Sequence, residues 1–289
     1  MLKKVNLTEK SHTESGVAML LGGFDGLHVG HRLLVEQAKK SGLPVGIMTI
    51  VGGKDEENLF TFEEREDIFR RSGVDFVFEL PFEGIKDLSP QQFLQILAKE
   101  FSPKLFVCGE DFRFGFQAQG TPEIIKEATH VRVEIVPLVE IDGKKVSSTY
   151  VKERLKKGEI ERANELLQEE FFLIGEVVQD RKVGRTMGFP TANILYPKGK
   201  FPLKKGVYET RVFVDGKDYK GITNYGARPT FDDDTVLTET YLDGFAGDLY
   251  GKTLKVRFVR YLRDIKKFTD VTALKEQLQE DIVRVREGK

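Results

Sequence analysis

Two imidazoles stand three residues apart in the run Gly22-Gly23-Phe24-Asp25-Gly26-Leu27-His28-Val29-Gly30-His31. If a helix begins there, one turn places both rings on the same side. Gly22, Gly26 and Gly30 let the backbone approach a ligand closely, Phe24 and Asp25 lie inside the same turn, and a helix start offers free N–H groups to phosphate oxygens. Two imidazoles so placed could neutralise charge gathering on a triphosphate under attack at its α-phosphorus. The pair taken alone reads equally well as a metal-binding pair or as two polar residues opening a helix. A second group, Ser147-Ser148-Thr149 followed by Lys152, sits just before another helix, where hydroxyls are ordinarily caps. A third, Gly109-Glu110-Asp111-Phe112-Arg113-Phe114-Gly115, follows an apolar run; it is either a turn with two core phenylalanines or a loop that brings Gly109, Asp111 and Arg113 to a ligand.

The second half of the chain carries a different set. In Pro190-Thr191-Ala192-Asn193 a hydroxyl and an amide two residues apart point the same way if the segment is extended. Oxygen ligands of that kind suit Mg²⁺, which keeps several waters and bridges nucleotide phosphates. Glu239, in Leu237-Thr238-Glu239-Thr240-Tyr241, could take a proton from an attacking hydroxyl, although a lone glutamate in a strand is usually solvated surface.

These groups need elements to position them. Up to about residue 170, short apolar runs at 17–21, 45–51, 74–80, 104–108 and 131–137 alternate with amphipathic segments. Helix starts are marked by Thr61 with Glu64, by Ser89-Pro90 with Gln92, and by Thr121-Pro122. That alternation predicts a parallel sheet with helices on both faces, of the Rossmann-like kind that binds nucleotides beyond the carboxyl ends of its strands. Helical segments follow over 148–168, broken near Gly158. From residue 170 the rhythm becomes short and β-rich at 172–178, 207–214, 220–223, 235–242 and 253–260, with glycine turns between, which predicts a small antiparallel barrel or a sandwich. Val271, Leu274, Leu278, Ile282 and Val285 form the stripe of a terminal helix. The expected domains are 1–169 and 170–289.

Composition narrows the classes. With 45 basic and 46 acidic side chains the formal net charge is −1, so no global field draws the chain to nucleic acid or an anionic membrane. Anionic ligands must be held locally, which points to small phosphates. The one cysteine, Cys108, rules out an intrachain disulfide framework, fits a reducing compartment, and reads as a small buried hydrophobe. No stretch approaches the ~20 apolar residues of a membrane span, and the basic start has no apolar core of signal-peptide length. The expectation is a soluble cytoplasmic protein.

Together, His28-Val29-Gly30-His31 and Ser147-Ser148-Thr149 resemble the two signature motifs of the nucleotidylyltransferase superfamily. The loop from Gly109 to Gly115 resembles a segment of one family within it, the bacterial bifunctional riboflavin kinase/FAD synthetases. The run Gly184-Arg185-Thr186-Met187-Gly188-Phe189-Pro190-Thr191-Ala192-Asn193 is similar to the flavokinase signature. The resemblance implies that ATP and Mg²⁺ convert riboflavin to FMN in the second domain and FMN to FAD in the first. It implies roles for His28 and His31 in adenylyl transfer, for Thr191 and Asn193 at the Mg–nucleotide, and for Glu239 as catalytic carboxylate. It also implies a loop containing Lys182, Gly184, Arg185 and Gly188 over the phosphates, and Lys152 where the family has an arginine.

Departures gather in the first half. The family's Pro-His-Pro segment is replaced by Ile50-Val51-Gly52-Gly53-Lys54, Lys152 lacks the planar fork of arginine, and Gly23 stands for an asparagine. In the second half Tyr241 replaces a common histidine. The rival readings are a riboflavin kinase with a weak adenylyltransferase domain, a non-catalytic flavin-binding regulator, and a nucleotidylyltransferase for another small substrate.

Overall fold

The structure is a computed structural model describing residues 2–6, 16–52, 57–179, 191–227, 236–268 and 270–288. Its contacts divide it into two compact units, Met1–Tyr150 and Val151–Lys289.

In the first unit the apolar runs are central strands because both faces are covered. Every side chain of β2 (Val17–Leu21) is buried, as are Leu105 to Cys108 of β5 (Pro103–Gly109). With β1 (Lys3–Asn6), β3 (Val45–Val51), β4 (Phe76–Pro81) and β6 (Arg132–Val136) they form a parallel sheet, ordered β1-β4-β3-β2-β5-β6 among the described residues. The expected five strands are present. The short edge strand β1 lacked a sequence signal, since four residues with two lysines show no apolar run. Helices α1 (Val29–Lys39), α2 (Phe62–Arg71), the single-turn α3 (Phe82–Ile85), α4 (Pro90–Phe101) and α5 (Pro122–Ala128) connect the strands. Both expected capping boxes form: Thr61 with Glu64 opens α2, and Ser89 with Gln92 opens α4 with Pro90 in its first turn. A core of Met19, Phe78, Phe93, Phe101 and Phe106 fills one side of the sheet. Strand order reverses about β2, which lies between β3 and β5, and the crevice at that reversal opens where β2 hands over to α1. The hairpin β7 (Glu140–Ile141) and β8 (Lys144–Lys145) turns through Asp142 and Gly143, both at positive φ, and leads into α6 (Ser148–Lys157).

The second unit is a closed antiparallel barrel ordered β10-β13-β12-β11-β14-β9. Its strands are β9 (Phe171–Val178), β10 (Thr191–Leu195), β11 (Gly206–Val214), β12 (Lys217–Ala227), β13 (Val236–Leu242) and β14 (Thr253–Arg263). Asp215 and Gly216 join β11 to β12 with φ of 48° and 81°, the two left-handed residues that a tight hairpin requires. The ladder therefore starts at Lys217, and β12 runs well beyond the expected 220–223. Inside the barrel the hydroxyls of Thr210, Thr223 and Thr240 form a fully buried chain with links of 2.9 and 2.8 Å, so none of them is left unsatisfied. Helix α7 (Ile160–Leu167) belongs to this unit because Asn164 bridges two strands: its amide donates to the Phe258 carbonyl at 2.9 Å and accepts from Phe171 N–H at 2.7 Å. The contacts accordingly divide the chain before this helix, whereas the rhythm of the sequence suggested a division after it.

The terminal helix α8 (Val271–Glu287) starts at Asp270, whose carboxylate accepts from Ala273 N–H. Ile282 and Val285 pack on Val207, Ile222, Leu262 and Tyr241 of the barrel wall. Asp281, fully buried, takes a fork of hydrogen bonds from Arg263 at 2.7 to 3.1 Å, and Lys220 caps the far end by donating to the carbonyls of Val285 and Arg286.

Candidate active sites

At the carboxyl edge of the parallel sheet lies a cavity of about 640 Å³. Gly22, Gly23, His28, Gly30 and His31 line its centre. Gly109, Asp111, Phe112 and Arg113 enter from the end of β5, and Lys145, Ser147 and Ser148 from beyond β6. Of the candidates for this half, Gly22, His28, Gly30, His31, Gly109, Asp111, Arg113, Ser147 and Ser148 are thus brought to one cavity.

The histidines are held by the turn before them. His28 is the N-cap of α1, and its Nδ1 accepts the backbone N–H of His31 at 3.3 Å. His31 Nδ1 lies 2.8 Å from the Gly26 carbonyl and must carry the proton to donate to it. The rings stack with centroids 3.7 Å apart, and Phe24 packs on His31 at 4.7 Å. Gly30 leaves room for the His28 ring: a Cβ there would sit 3.3 Å from it, a tight contact that the ring would have to yield to. Burial, the neighbouring His31 and Lys145 depress the His28 imidazole from 6.5 to about 2. Burial depresses His31 to about 4, against the opposing pull of the Gly26 carbonyl and Asp111. Both rings are therefore neutral at pH 7: His28 keeps its proton on Nε2, whereas the proton of His31 is taken up on Nδ1 by the Gly26 carbonyl.

Phe24, Asp25 and Gly26, expected near the ligand, do not line the cavity. Phe24 is fully buried behind His31; Asp25 accepts the Leu59 N–H at 2.7 Å; Gly26 supplies the carbonyl for His31. Their sequence signal was genuine, but it marks the frame of the histidines. Thr149 and Lys152 also stand away from the cavity: Thr149 is exposed, and the Lys152 ammonium lies 5.8 Å over the Phe201 ring. The β5 loop is tied to the β6 exit, since Glu110 accepts the Leu138 N–H at 2.9 Å and Asp111 pairs with Lys145.

Of the opposite side of the cavity, the sequence singled out Ile50 alone. Met48 and Ile50 from β3, and Phe82, Ile85 and Lys86 after β4, complete it. Ile50 stands where the family's Pro-His-Pro segment is replaced and is 41% exposed. An apolar side chain left open in an otherwise buried strand was the available signal; Gly53 and Lys54 lie outside the described residues.

On the barrel, β10, β13 and β12 align Asn193, Glu239 and Asn224 in one row, Asn193 opposite Glu239 and Glu239 opposite Asn224. Directly opposed residues of antiparallel strands share a face, and the alternate residues Ala192, Thr223 and Thr240 are buried on the other side of the wall. The row therefore lies on the outer face. Thr191 follows opposite Tyr241, whose neighbour Ile222 is covered by α8. Asn193 is buried, and its Oδ1 has no hydrogen-bond partner among the described residues. Lys182, Gly184, Arg185 and Gly188 lie outside the described residues.

The riboflavin kinase family model matches residues 167–288, and the FAD synthetase family model matches residues 10–150. A bifunctional riboflavin kinase/FMN adenylyltransferase of Bacillus subtilis strain 168 is 31% identical over 303 residues, covering 97% of this chain and 96% of its own. The chain belongs to the bifunctional riboflavin kinase/FMN adenylyltransferase family. Another member, from Pseudomonas fluorescens, is 32% identical over 94% of this chain and 92% of its own. A crystal structure described as a macrolide-efflux protein from Streptococcus pneumoniae shares the fold throughout, with a TM-score of 0.89 at 30% identity over 99% of this chain and 98% of that one. Among the described residues no helix is long and apolar enough to cross a membrane.

A riboflavin kinase domain uses Mg²⁺, and the residues present fit it. The buried Oδ1 of Asn193, without a hydrogen-bond partner among the described residues, could serve as a hard oxygen ligand, and Thr191 could add a hydroxyl two residues away on the same face. Among the described residues no group of three or more His, Cys, Asp or Glu side chains gathers around a common point.

Proposed function

We propose that the barrel phosphorylates riboflavin to FMN and the α/β unit adenylylates FMN to FAD, both from ATP. What carries this reading is the presence in one chain of two separate constellations: the stacked histidines facing Ser147 and Ser148 in one cavity, and the row Asn193–Glu239 with its orphaned oxygen on the barrel.

On the barrel, Glu239 accepts the proton of the terminal ribityl hydroxyl as that oxygen attacks the γ-phosphorus and ADP departs. Thr191 and Asn193 hold the Mg²⁺ of the nucleotide, which when bound offsets charge on the phosphates. Lys182, Gly184, Arg185 and Gly188 belong to the loop assigned to the phosphates by the family pattern.

In the α/β unit, an FMN phosphate oxygen attacks the α-phosphorus of ATP and pyrophosphate leaves, with no covalent enzyme intermediate. His28 donates its Nε2–H to the phosphate oxygens on which charge builds, His31 does so from Nε2 once the bound triphosphate protonates it, and Lys145, Arg113 and the hydroxyls of Ser147 and Ser148 hold the chain of phosphates. The rings are neutral in the ligand-free cavity, so a bound triphosphate draws them toward the protonated form. The apolar side at Met48, Ile50 and Phe82 suits the flat isoalloxazine body.

The experiment is chromatographic separation of flavins after incubation of the full chain with ATP, Mg²⁺ and either riboflavin or FMN. FMN and FAD from riboflavin, with FAD from FMN, is the expected result. FMN accumulation without FAD from either substrate would restrict the protein to the kinase reaction, and saturable flavin binding without ATP consumption would remove both.

A further inference from the structure

The outer row of the barrel does not end at Glu239. Asn224 is directly opposite it on β12, and Val207 is opposite Asn224 on β11. Asn224 is flanked by Thr223 and Tyr225, which point into the barrel and are buried, so its own side chain is on the face of Glu239 and Asn193. Opposed side chains in such a ladder have Cβ atoms about 4.5–5.5 Å apart. Asn224 is half-buried, and among the described residues its amide makes no hydrogen bond. Beyond it the row becomes apolar at Val207, beneath α8. A polar side chain between a proposed base and an apolar floor, with no hydrogen-bond partner among the described residues, has the character of a ligand contact.

The ligand chemistry follows from position. The phosphoryl acceptor is the terminal hydroxyl of a polyol, and the remaining hydroxyls recur along the same chain toward the flat ring. An amide supplies two donors and one acceptor, a match for a hydroxyl that both gives and receives. We propose that Asn224 binds the ribityl hydroxyl next to the terminal one, so fixing the polyol with its reacting oxygen at Glu239 and making the barrel selective for a hydroxylated chain. This rests on the assignment of Glu239 as the base. Its contribution is orientation, which turns a flexible chain into a near-attack arrangement.

The test compares the full chain with Asn224→Ala and Asn224→Ser, using riboflavin and the analogue that lacks the hydroxyl next to the terminal one. Loss of one hydrogen bond predicts about a tenfold fall in kcat/KM for riboflavin in Asn224→Ala. The decisive readout is discrimination: the wild type prefers riboflavin to the analogue, and Asn224→Ala treats them alike. Asn224→Ser, which keeps a shorter hydroxyl, retains part of the preference. Unchanged discrimination in both variants with normal melting would overturn the proposal. Glu239→Gln is run alongside: if it keeps full FMN formation the base assignment fails, a result distinct from any outcome at Asn224.

Discussion

An imidazole that caps a helix through Nδ1 must be unprotonated there, and this ties His28 to its neighbour His31. Protonating either ring would break the cap or set a charge against a stacked ring 3.7 Å away. The folded values, about 2 and about 4, lie below the ordinary 6.5, so the unfolded chain takes up these protons first. Stability contributed by the pair is intact above pH 6.5 and is lost as the pH falls toward the folded values. Thermal melting of the wild type should therefore decline from neutral pH toward about pH 5, and His31→Gln should show a flatter decline; parallel slopes would show that His31 contributes nothing to it. Histidine NMR of the ligand-free protein should find both rings neutral over that span, with ATP moving their resonances toward the protonated form. At the other side of the cavity, Ile50→Glu places a carboxylate where the flavin is expected to lie. It should raise KM for FMN in adenylylation by tenfold or more while leaving riboflavin phosphorylation unaltered, as read from initial rates in the two half-reactions.

The elements differ in how plainly the chain announces them. His28 and His31 were legible because strand end, glycines and helix start are neighbours in sequence, and the capping boxes at Thr61 and Ser89 are equally local. Phe24 and Asp25 were misplaced for the same reason: a turn shows which residues cluster, not which of them face outward. Phe82 was missed at the cavity, and Asn224 beside Glu239, because sheet order and strand register join residues far apart in the chain. Helix α8 was legible as an apolar stripe, but its strongest tie was not. Asp281 is fully buried against Arg263, and Asp281→Ala would leave the guanidinium unpaired beneath the helix. A loss of about 3–5 kcal/mol is expected for such a broken pair, measurable by urea unfolding. A loss within about half a kcal/mol would mean that Ile282 and Val285 hold the helix without it.

Across the whole molecule, each constellation is built entirely within one compact unit, so the two reactions should respond to mutation separately. His28→Ala with His31→Ala is expected to leave FMN formation from riboflavin and abolish FAD formation from FMN. Glu239→Gln should do the reverse, cutting FMN formation by at least a hundredfold while FMN supplied from outside is still adenylylated. Chromatography of the flavins distinguishes the four combinations of variant and reaction in that comparison. Loss of both reactions in either variant would mean that the sites depend on each other. The two-part plan itself was visible in the change from alternating strands and helices to short strands with glycine turns. Contacts place the helix of Asn164 with the barrel, through bonds to Phe171 and Phe258, and only one of those partners is close by in sequence.

The row on the barrel wall also bears on how the protein can change over generations. Asn193, Glu239 and Asn224 come from three strands, and their common side is set by backbone ladders with a period of two. Single replacements along these strands leave that alignment alone, whereas gain or loss of one residue inside β10, β12 or β13 would turn part of the row inward among the threonines. Lineages of this chain should therefore tolerate drift in the identity of Ile222 or Leu237 yet confine length differences to turns such as Asp215-Gly216. The spacing of the barrel residues, more than any one of them, is what inheritance has to preserve.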